Sequence, residues 1–305
     1  MAALAPRDGD EDVLKLIVVP LDGSPLSERV VPYAAHLCRV SGASVELVRA
    51  AVSPSAAVVT NAAAARIAAA HQAQVLKEAE EELGRVARQL RDQGITTNVV
   101  ARIAGPVELI TQTAQAENAD LILISVHGRS GLTRYVLGSF SDELLRRAEL
   151  PLFLVPPSCL GQWPTDRRLR LLVPLDGSAL GEEALGPAKE LASTLGADLL
   201  LLRSVHSDHG GQDVSDGTAY LEGLAAALHG EGFEVMVQVT TEAPQAAILK
   251  VMSDQGADLI VMATHGRSGL ARVLLGSVAA DVVAHSTVPL LLIRPPAIHA
   301  AHAAL

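Results

Sequence analysis

Val19-Pro20-Leu21-Asp22-Gly23-Ser24 and Val173-Pro174-Leu175-Asp176-Gly177-Ser178 are the same six residues, 154 positions apart (176 − 22). A second segment, His127-Gly128-Arg129-Ser130-Gly131-Leu132, recurs as His265-Gly266-Arg267-Ser268-Gly269-Leu270 at an offset of 138 (265 − 127). Leu137-Gly138-Ser139 and Leu275-Gly276-Ser277 keep that offset, as do Pro151-Leu152 and Pro289-Leu290. A repeat of this period means two copies of one folding unit. The first copy is longer by 154 − 138 = 16 residues. Gly42 and Gly196 still fit the larger offset, whereas Pro106 and Pro244 fit the smaller, so the extra length falls between about residues 51 and 95.

Working outward from the repeat, each copy alternates strand and helix patterns. Apolar runs at 16–20, 45–48, 98–103, 121–126 and 152–155 are continuous rather than alternating. Strands covered on both faces of a parallel sheet read this way. Between them, Leu76, Ala79, Leu83, Val86 and Leu90 are spaced three and four apart, one face of a helix. Gly94 stands where a helix C-cap is expected. The second copy has a shorter equivalent in Tyr220, Leu221, Leu224 and Leu228, ending near Gly230. The expected fold class is α/β: two tandem doubly wound parallel-sheet domains of five strands each, with right-handed crossovers. The first domain is placed at 1–157 and the second at 168–305, with a Pro- and Gly-containing linker at 158–167. Residues 1–13 are expected to be a disordered lead-in and 297–305 a tail.

Composition narrows the function. A net charge of −10 argues against a nonspecific nucleic-acid partner, which needs a basic surface. Aromatic residues are only 2% of the chain, too few for base-stacking platforms. No run of about 18 apolar residues reads as a membrane span. The acidic start, with Asp8, Asp10, Glu11 and Asp12, is unlike a secretory signal. Cys38 and Cys159 have neither metal spacing nor a disulfide framework and fit a reducing compartment. A cytoplasmic location is therefore expected.

In an open parallel sheet, ligands bind past the carboxyl ends of the strands, where the strand order reverses. Asp22 and Asp176 follow strand one of each copy, and the two His-Gly-Arg-Ser-Gly segments follow strand four. With an order of 3-2-1-4-5, both motifs face one crevice. Gly128 and Gly131, with Gly266 and Gly269, would let backbone amides approach an anion closely. Ser139 is the expected N-cap of a helix over 142–148, with Asp142 completing a capping box, and Gly276-Ser277 offers the same in copy two. The amides at such a helix start attract phosphate. Tight turns alone would need the glycines, but not the repeated Arg129-Ser130 and Arg267-Ser268 between them.

On these residues the sequence resembles the universal stress protein family, in its tandem form. The family's ATP-binding signature is Gly, two residues, Gly, nine residues, Gly, then Ser or Thr. Copy one reads Ser125-Val126-His127-Gly128, nine residues, Gly138-Ser139; copy two reads Ala263-Thr264-His265-Gly266, nine residues, Gly276-Ser277. The resemblance spans roughly residues 14–156 and 168–296. Both copies replace the first signature glycine, with Ser125 and Ala263. The resemblance implies an adenine-nucleotide alpha-hydrolase-like fold. It implies that Asp22 and Asp176 contact adenosine and that the backbone about Ala50 and Ser204 lines the adenine pocket. It further implies that Gly128, Gly138 and Ser139, with Gly266, Gly276 and Ser277, hold ribose and phosphates. ATP is the implied cofactor, with a magnesium or manganese ion on its phosphates.

Weaker signals stand beside these. Arg129, Arg134, Arg267 and Arg272 suit either phosphate screening or a solvated helix face. His127 and His265 suit phosphate contact or, better, a simple turn. An Asp22–His127–Ser139 triad lacks the Gly-x-Ser-x-Gly elbow. Neither glycine motif carries the lysine that phosphoryl transfer usually needs. His206, Asp208 and His209 read as a solvated loop, not a metal site. The expectation is an ATP-binding regulator of stress response, one nucleotide per domain, and not a dedicated enzyme. The alternatives are a scaffold without nucleotide and a slow ATPase or phosphotransferase. The apolar fifth strands, 152–155 and 290–293, are expected to pair with each other inside one chain, leaving dimerisation of whole chains open.

Overall fold

The computed structural model describes residues 14–51, 62–126, 139–159, 161–205, 211–264 and 275–294. The first half contains β1 (Leu16–Pro20), α1 (Val31–Ser41), β2 (Ser44–Ala50), α2 (Ala62–Arg91), β3 (Thr97–Arg102), α3 (Pro106–Ala116), β4 (Leu121–Ser125), α4 (Ser139–Arg147) and β5 (Leu152–Val155). The second contains β6 (Arg170–Pro174), the single turn α5 (Ala179–Glu182), α6 (Leu185–Leu195), β7 (Asp198–Ser204), α7 (Gly211–Gly230), β8 (Val235–Thr240), α8 (Pro244–Asp254), β9 (Leu259–Ala263), α9 (Ser277–His285) and β10 (Leu290–Ile293). A 3-10 turn over Ser27–Val30 precedes α1, where the second half has α5. The lead-in at 1–13 and the tail at 297–305 lie outside the described residues.

The strand order is β3-β2-β1-β4-β5-β10-β9-β6-β7-β8. Each half is thus 3-2-1-4-5, as expected, and all pairs within a half are parallel. The halves meet through an antiparallel β5–β10 pair, which makes one mixed sheet. Its central register pairs Phe153 with Leu291, and 291 − 153 = 138 is the repeat offset itself. The flanking pairs, Leu154 with Leu290 and Leu152 with Leu292, exchange under the same offset. A pseudo-two-fold axis therefore runs between Phe153 and Leu291. This pairing covers the apolar edge that each half would otherwise expose.

Two hydrophobic layers flank the sheet and run across both halves. One holds Ile17, Leu47, Phe153, Leu171 and Leu291 with residues of α1, α2, α6 and α7. The other holds Val18, Leu154, Leu172 and Leu292 with residues of α3, α4, α8 and α9. Adjacent strand residues alternate between the layers, so the central strands are buried throughout and apolar but for Ser125. The outermost strands differ: β3 and β8 are only partly buried, and Met236 and Val237 are exposed. The continuous apolar reading fails there because the sheet ends at these strands.

Ten of the 16 extra residues lie in α2, which has 30 residues against 20 for α7 (30 − 20). Ala79, Leu83, Val86 and Leu90 are buried as their spacing predicts, and Leu76 is half-buried. The added first turns project outward, with Ile67 72% exposed, so the insertion extends the helix without enlarging the core. Gly94 has φ +81° and donates its amide to the Arg91 carbonyl, ending the helix as expected.

The connecting segment does more than link. Trp163 and Cys159 are both buried, and the indole meets the rings of Tyr33, His36 and Phe153 edge-on at 5.1, 5.3 and 5.8 Å. Its Nε1 donates to the Asp258 carbonyl at 2.9 Å. Three of the chain's few aromatic residues thus lock the first half to the second. Other bonds cross the same boundary. Ser158 Oγ donates to the Ser286 carbonyl at 2.5 Å, and Arg294 Nη1 reaches the Leu145 carbonyl at 3.3 Å, at the negative end of α4. Burial pushes the Cys38 and Cys159 thiols up to about 12, so both remain protonated and unreactive at neutral pH.

Candidate functional site

The sheet places the carboxyl ends of β1, β2 and β4 side by side, and those of β6, β7 and β9 likewise. Each strand end is pinned one residue further on. Leu21 N donates to Val48 O at 2.9 Å and Val126 N to Val155 O at 3.0 Å. Leu175 N to Leu202 O and Thr264 N to Ile293 O, both 2.8 Å, repeat this in the second half. The order reverses between β1 and β4, and between β6 and β9, so a crevice is required at each of these points.

Asp22 and Asp176 stand at that reversal. Both fold back on their own backbone, since Ser24 N donates to Asp22 Oδ1 at 2.8 Å and Ser178 N to Asp176 Oδ1 at 3.0 Å. Ser178 Oγ adds a 2.6 Å bond to the same Asp176 oxygen. These Asx turns fix each carboxylate at the crevice mouth, with Asp22 exposed and Asp176 half-buried. The glycine after each has no substitute. Gly23 has φ +82° and Gly177 φ +75°, and a Cβ there would collide with Arg49 and Glu82, or with Arg203.

Arg49 and Arg203 carry no expectation from the sequence reading, yet they occupy equivalent places (203 − 49 = 154), one residue before Ala50 and Ser204. Each lays a guanidinium against its Asp-Gly-Ser turn. Arg49 is ion-paired with Glu82 of α2. Arg203 lies 4.5 Å over the Tyr220 ring of α7, and the Tyr220 hydroxyl donates to Glu182 Oε1 at 2.6 Å. Burial and the Glu182 bond hold the Tyr220 phenol protonated well above its ordinary range. The signal was available: an arginine at the same repeat position near the end of two largely apolar strands.

Strand four delivers the other side. Ser125 and Ala263 are the last residues of β4 and β9 and are buried. Neither has positive φ; among the described residues Asn118 alone does so without being glycine. The missing first signature glycine therefore costs no backbone strain, because the position is ordinary strand. His127, Gly128, Arg129, Gly131 and Gly138, with His265, Gly266, Arg267 and Gly269, lie outside the described residues. So do Arg134, Arg272 and the 206–209 loop.

The helix that receives the loop is displaced by one position from its expected start. Ser277 is the first helical residue of α9, exposed, and Gly276 is the N-cap, with φ −58° and ψ 151°. Ser139 likewise opens α4 rather than preceding it. The capping-box reading is corrected accordingly: a glycine cap brings its own backbone close instead. Gly276 N donates to the Thr264 carbonyl at 2.9 Å, tying the helix start to the end of β9. Ala280 N takes the Gly276 carbonyl at 2.9 Å, so helix geometry turns the amides of Ser277, Val278 and Ala279 outward at the positive end of the dipole. Such an end accepts a phosphate, and the nearby Asp turn accepts hydroxyl or amino donors, which suits a nucleotide spanning the two. Ala50 and Ser204 end β2 and β7 beside it, where Ser204 Oγ donates to the Glu242 carbonyl at 2.5 Å.

Comparison with known proteins agrees with this geometry. The family model described as "Universal stress protein family" matches residues 14–156 and again 168–294. A universal stress protein of Mycolicibacterium smegmatis is 31% identical over 189 residues, covering 59% of this chain and 63% of that protein. One of Mycobacterium tuberculosis matches at 31% over 192 residues, 60% of this chain and 65% of its own. The chain thus spans less than two thirds of these relatives. A second M. tuberculosis protein of the family is 26% identical over 310 residues, covering 92% of this chain and 95% of its own. The solved universal stress protein from Archaeoglobus fulgidus superposes with a TM-score of 0.73 at 23% identity, over 92% of this chain and 98% of that one, and so shares the fold. With both halves matched by the family model, this chain belongs to the universal stress protein family.

Proposed function

We propose that each half binds one adenine nucleotide, ATP with magnesium or manganese, and that the chain acts in stress response as a nucleotide-responsive regulator. The reading rests on one observation: a strand-order reversal flanked by an Asx-turned aspartate and a helix start occurs twice, at equivalent residues. Asp22 and Asp176 take the nucleoside end. Ala50 and Ser204 line the base, with the Ser125 and Ala263 strand ends beneath. Ser139 and Ser277, with the glycine loops that precede them, take the phosphates. His127, Arg129, His265 and Arg267 belong to those loops and offer positive or polar contacts there.

Mass spectrometry of small molecules released from the purified chain tests this reading. Adenine nucleotide is the expected product. A chain that releases none, and whose melting temperature is unmoved by millimolar ATP and magnesium, is a scaffold instead. A ligand held at 100 times its dissociation constant adds about 2.7 kcal/mol, far above the detection limit of a melting curve.

A further inference from the structure

A cavity of about 190 Å³ lies between the halves, at the end of the sheet opposite the nucleotide crevices. Its lining includes Asp120, Pro187, Glu190, Leu191 and Leu291. The repeat offsets identify it. Tyr33 and His36 map to Pro187 and Glu190 at 154; Phe153 maps to Leu291, and Asp120 to Asp258, at 138. Tyr33, His36 and Phe153 pack their rings against the Trp163 indole, and Asp258 accepts its hydrogen bond. The cavity is therefore the pseudo-symmetric counterpart of the pocket that the indole fills. One linker crosses the two-fold axis once and supplies one indole for two related pockets. Smaller walls widen the second pocket, because proline and leucine stand where the first has tyrosine and phenylalanine.

We propose that this interdomain cavity is a binding site for a small planar aromatic molecule with a ring N–H, of the indole class. Trp163 serves as the template for the ligand. Its Nε1 donates to the Asp258 carbonyl, and the Asp120 carbonyl holds the same place in the second pocket. A carbonyl has two lone pairs, so one can pair within the sheet and the other with the ligand. The volume suffices, since apolar cavities of about 150 Å³ take up benzene. Pro187, Leu191 and Leu291 supply apolar walls, and Lys15 and Glu190 supply a charged rim that favours a ring with a polar edge over a plain hydrocarbon.

The test is titration of indole into the isotope-labelled full chain, followed by amide chemical shifts. One saturable site is expected, with the largest shifts at Lys15, Leu191 and Leu291. 1-Methylindole, which lacks the N–H, should bind about fivefold more weakly, the loss of one net hydrogen bond. Thr194→Trp, on the half-exposed rim from α6, should fill the cavity and weaken indole at least about tenfold. Asp176→Ala, at the far end of the strands, should leave indole binding unchanged. In Trp163→Ala the stoichiometry should rise from one to two. The proposal is overturned by absence of a saturable site at the solubility limit of indole, or by binding that survives Thr194→Trp. It is also overturned if binding appears only after residues 1–11 are removed, which would make the chain's own N-terminus the occupant.

Discussion

The two halves share strand order, register and the Asp-Gly-Ser turn, yet they differ in the partners that hold the side chains around the strand ends. In the first, Arg49 is held by an ion pair with Glu82; in the second, Arg203 is held by the face of Tyr220. Asp120 caps the start of β1 through the amides of Lys15 and Leu16, at 2.7 and 2.9 Å. Asp258 does the same for Arg170 at 2.9 Å, and Arg167 adds a two-pronged contact at 2.7 Å. One interdomain pocket holds an indole and its partner is a cavity. The comparison teaches that duplication preserves what the backbone must do at the crevice, while the partners that hold it are free to change. Joining the copies in one chain also breaks the symmetry, because the connecting segment places its indole in one of the two related pockets.

The largest expected effect of breaking this comparison is on assembly. Residues 1–157 and 166–305, expressed separately, should each self-associate through the uncovered β5 or β10 edge. Light scattering checks this, and stable monomers of both halves would remove the role given to the strand pair. Charge substitutions at Leu154 and Leu292 are poor controls, since both side chains are fully buried beneath helices and a charge there would damage each half by itself.

Next comes the indole. Trp163→Ala should lower stability by about 3–5 kcal/mol in urea unfolding, as for other large buried aromatics. Among the described residues no aromatic ring lines the second pocket, so the loss marks the asymmetry directly. A change below about 1 kcal/mol, the ordinary surface range, would mean that the linker is not an anchor.

Smaller effects sharpen the crevice comparison. Gly177→Ala forces a left-handed residue at about 1–2 kcal/mol and also pushes Arg203 off Tyr220. Gly276→Ala, by contrast, has ordinary φ and among the described residues meets the Thr264 carbonyl alone, at 3.2 Å. It should destabilise the protein less than Gly177→Ala does in the same denaturant titration. The reverse ranking would contradict the assignment of strain to the Asp-Gly-Ser turn.

The smallest effect concerns pH. His36 lies against Trp163, and burial, assisted by Arg39, holds its imidazole below the ordinary 6.5. As pH falls through 6.5 the unfolded chain takes up this proton before the folded chain does, so stability drops. His36→Phe should flatten that part of the acid slope. An unchanged slope between pH 7 and 5 would show that His36 does not contribute.

Much of this was legible in the sequence because it is backbone-determined. The repeat offsets fixed both halves, and the apolar runs located the strands to within two residues. Strand order was an assumption by analogy with open doubly wound sheets, and the structure bears it out. Gly94 and the Ala79–Leu90 helix face followed from spacing alone. What escaped depends on contacts across the fold. Arg49 and Arg203 look like stray charges until β2 and β7 carry them over the Gly23 and Gly177 turns. Trp163 looks like a linker residue because composition cannot show that the two-fold axis brings Tyr33, Phe153 and Asp258 around it. The one-residue shift at Gly276 escaped because serine is the commoner cap, and what favours glycine is the Thr264 carbonyl, 3.2 Å from where a Cβ would stand.

One nucleotide site is expected in each half. Calorimetric titration of ATP with magnesium into the full chain tests it most directly, with Asp22→Ala, Asp176→Ala and the double variant alongside. Two nucleotides per chain are expected, one tight site remaining in each single variant and none in the double. A folded wild-type chain that takes up no ATP, or single variants that both retain two unchanged sites, would contradict it.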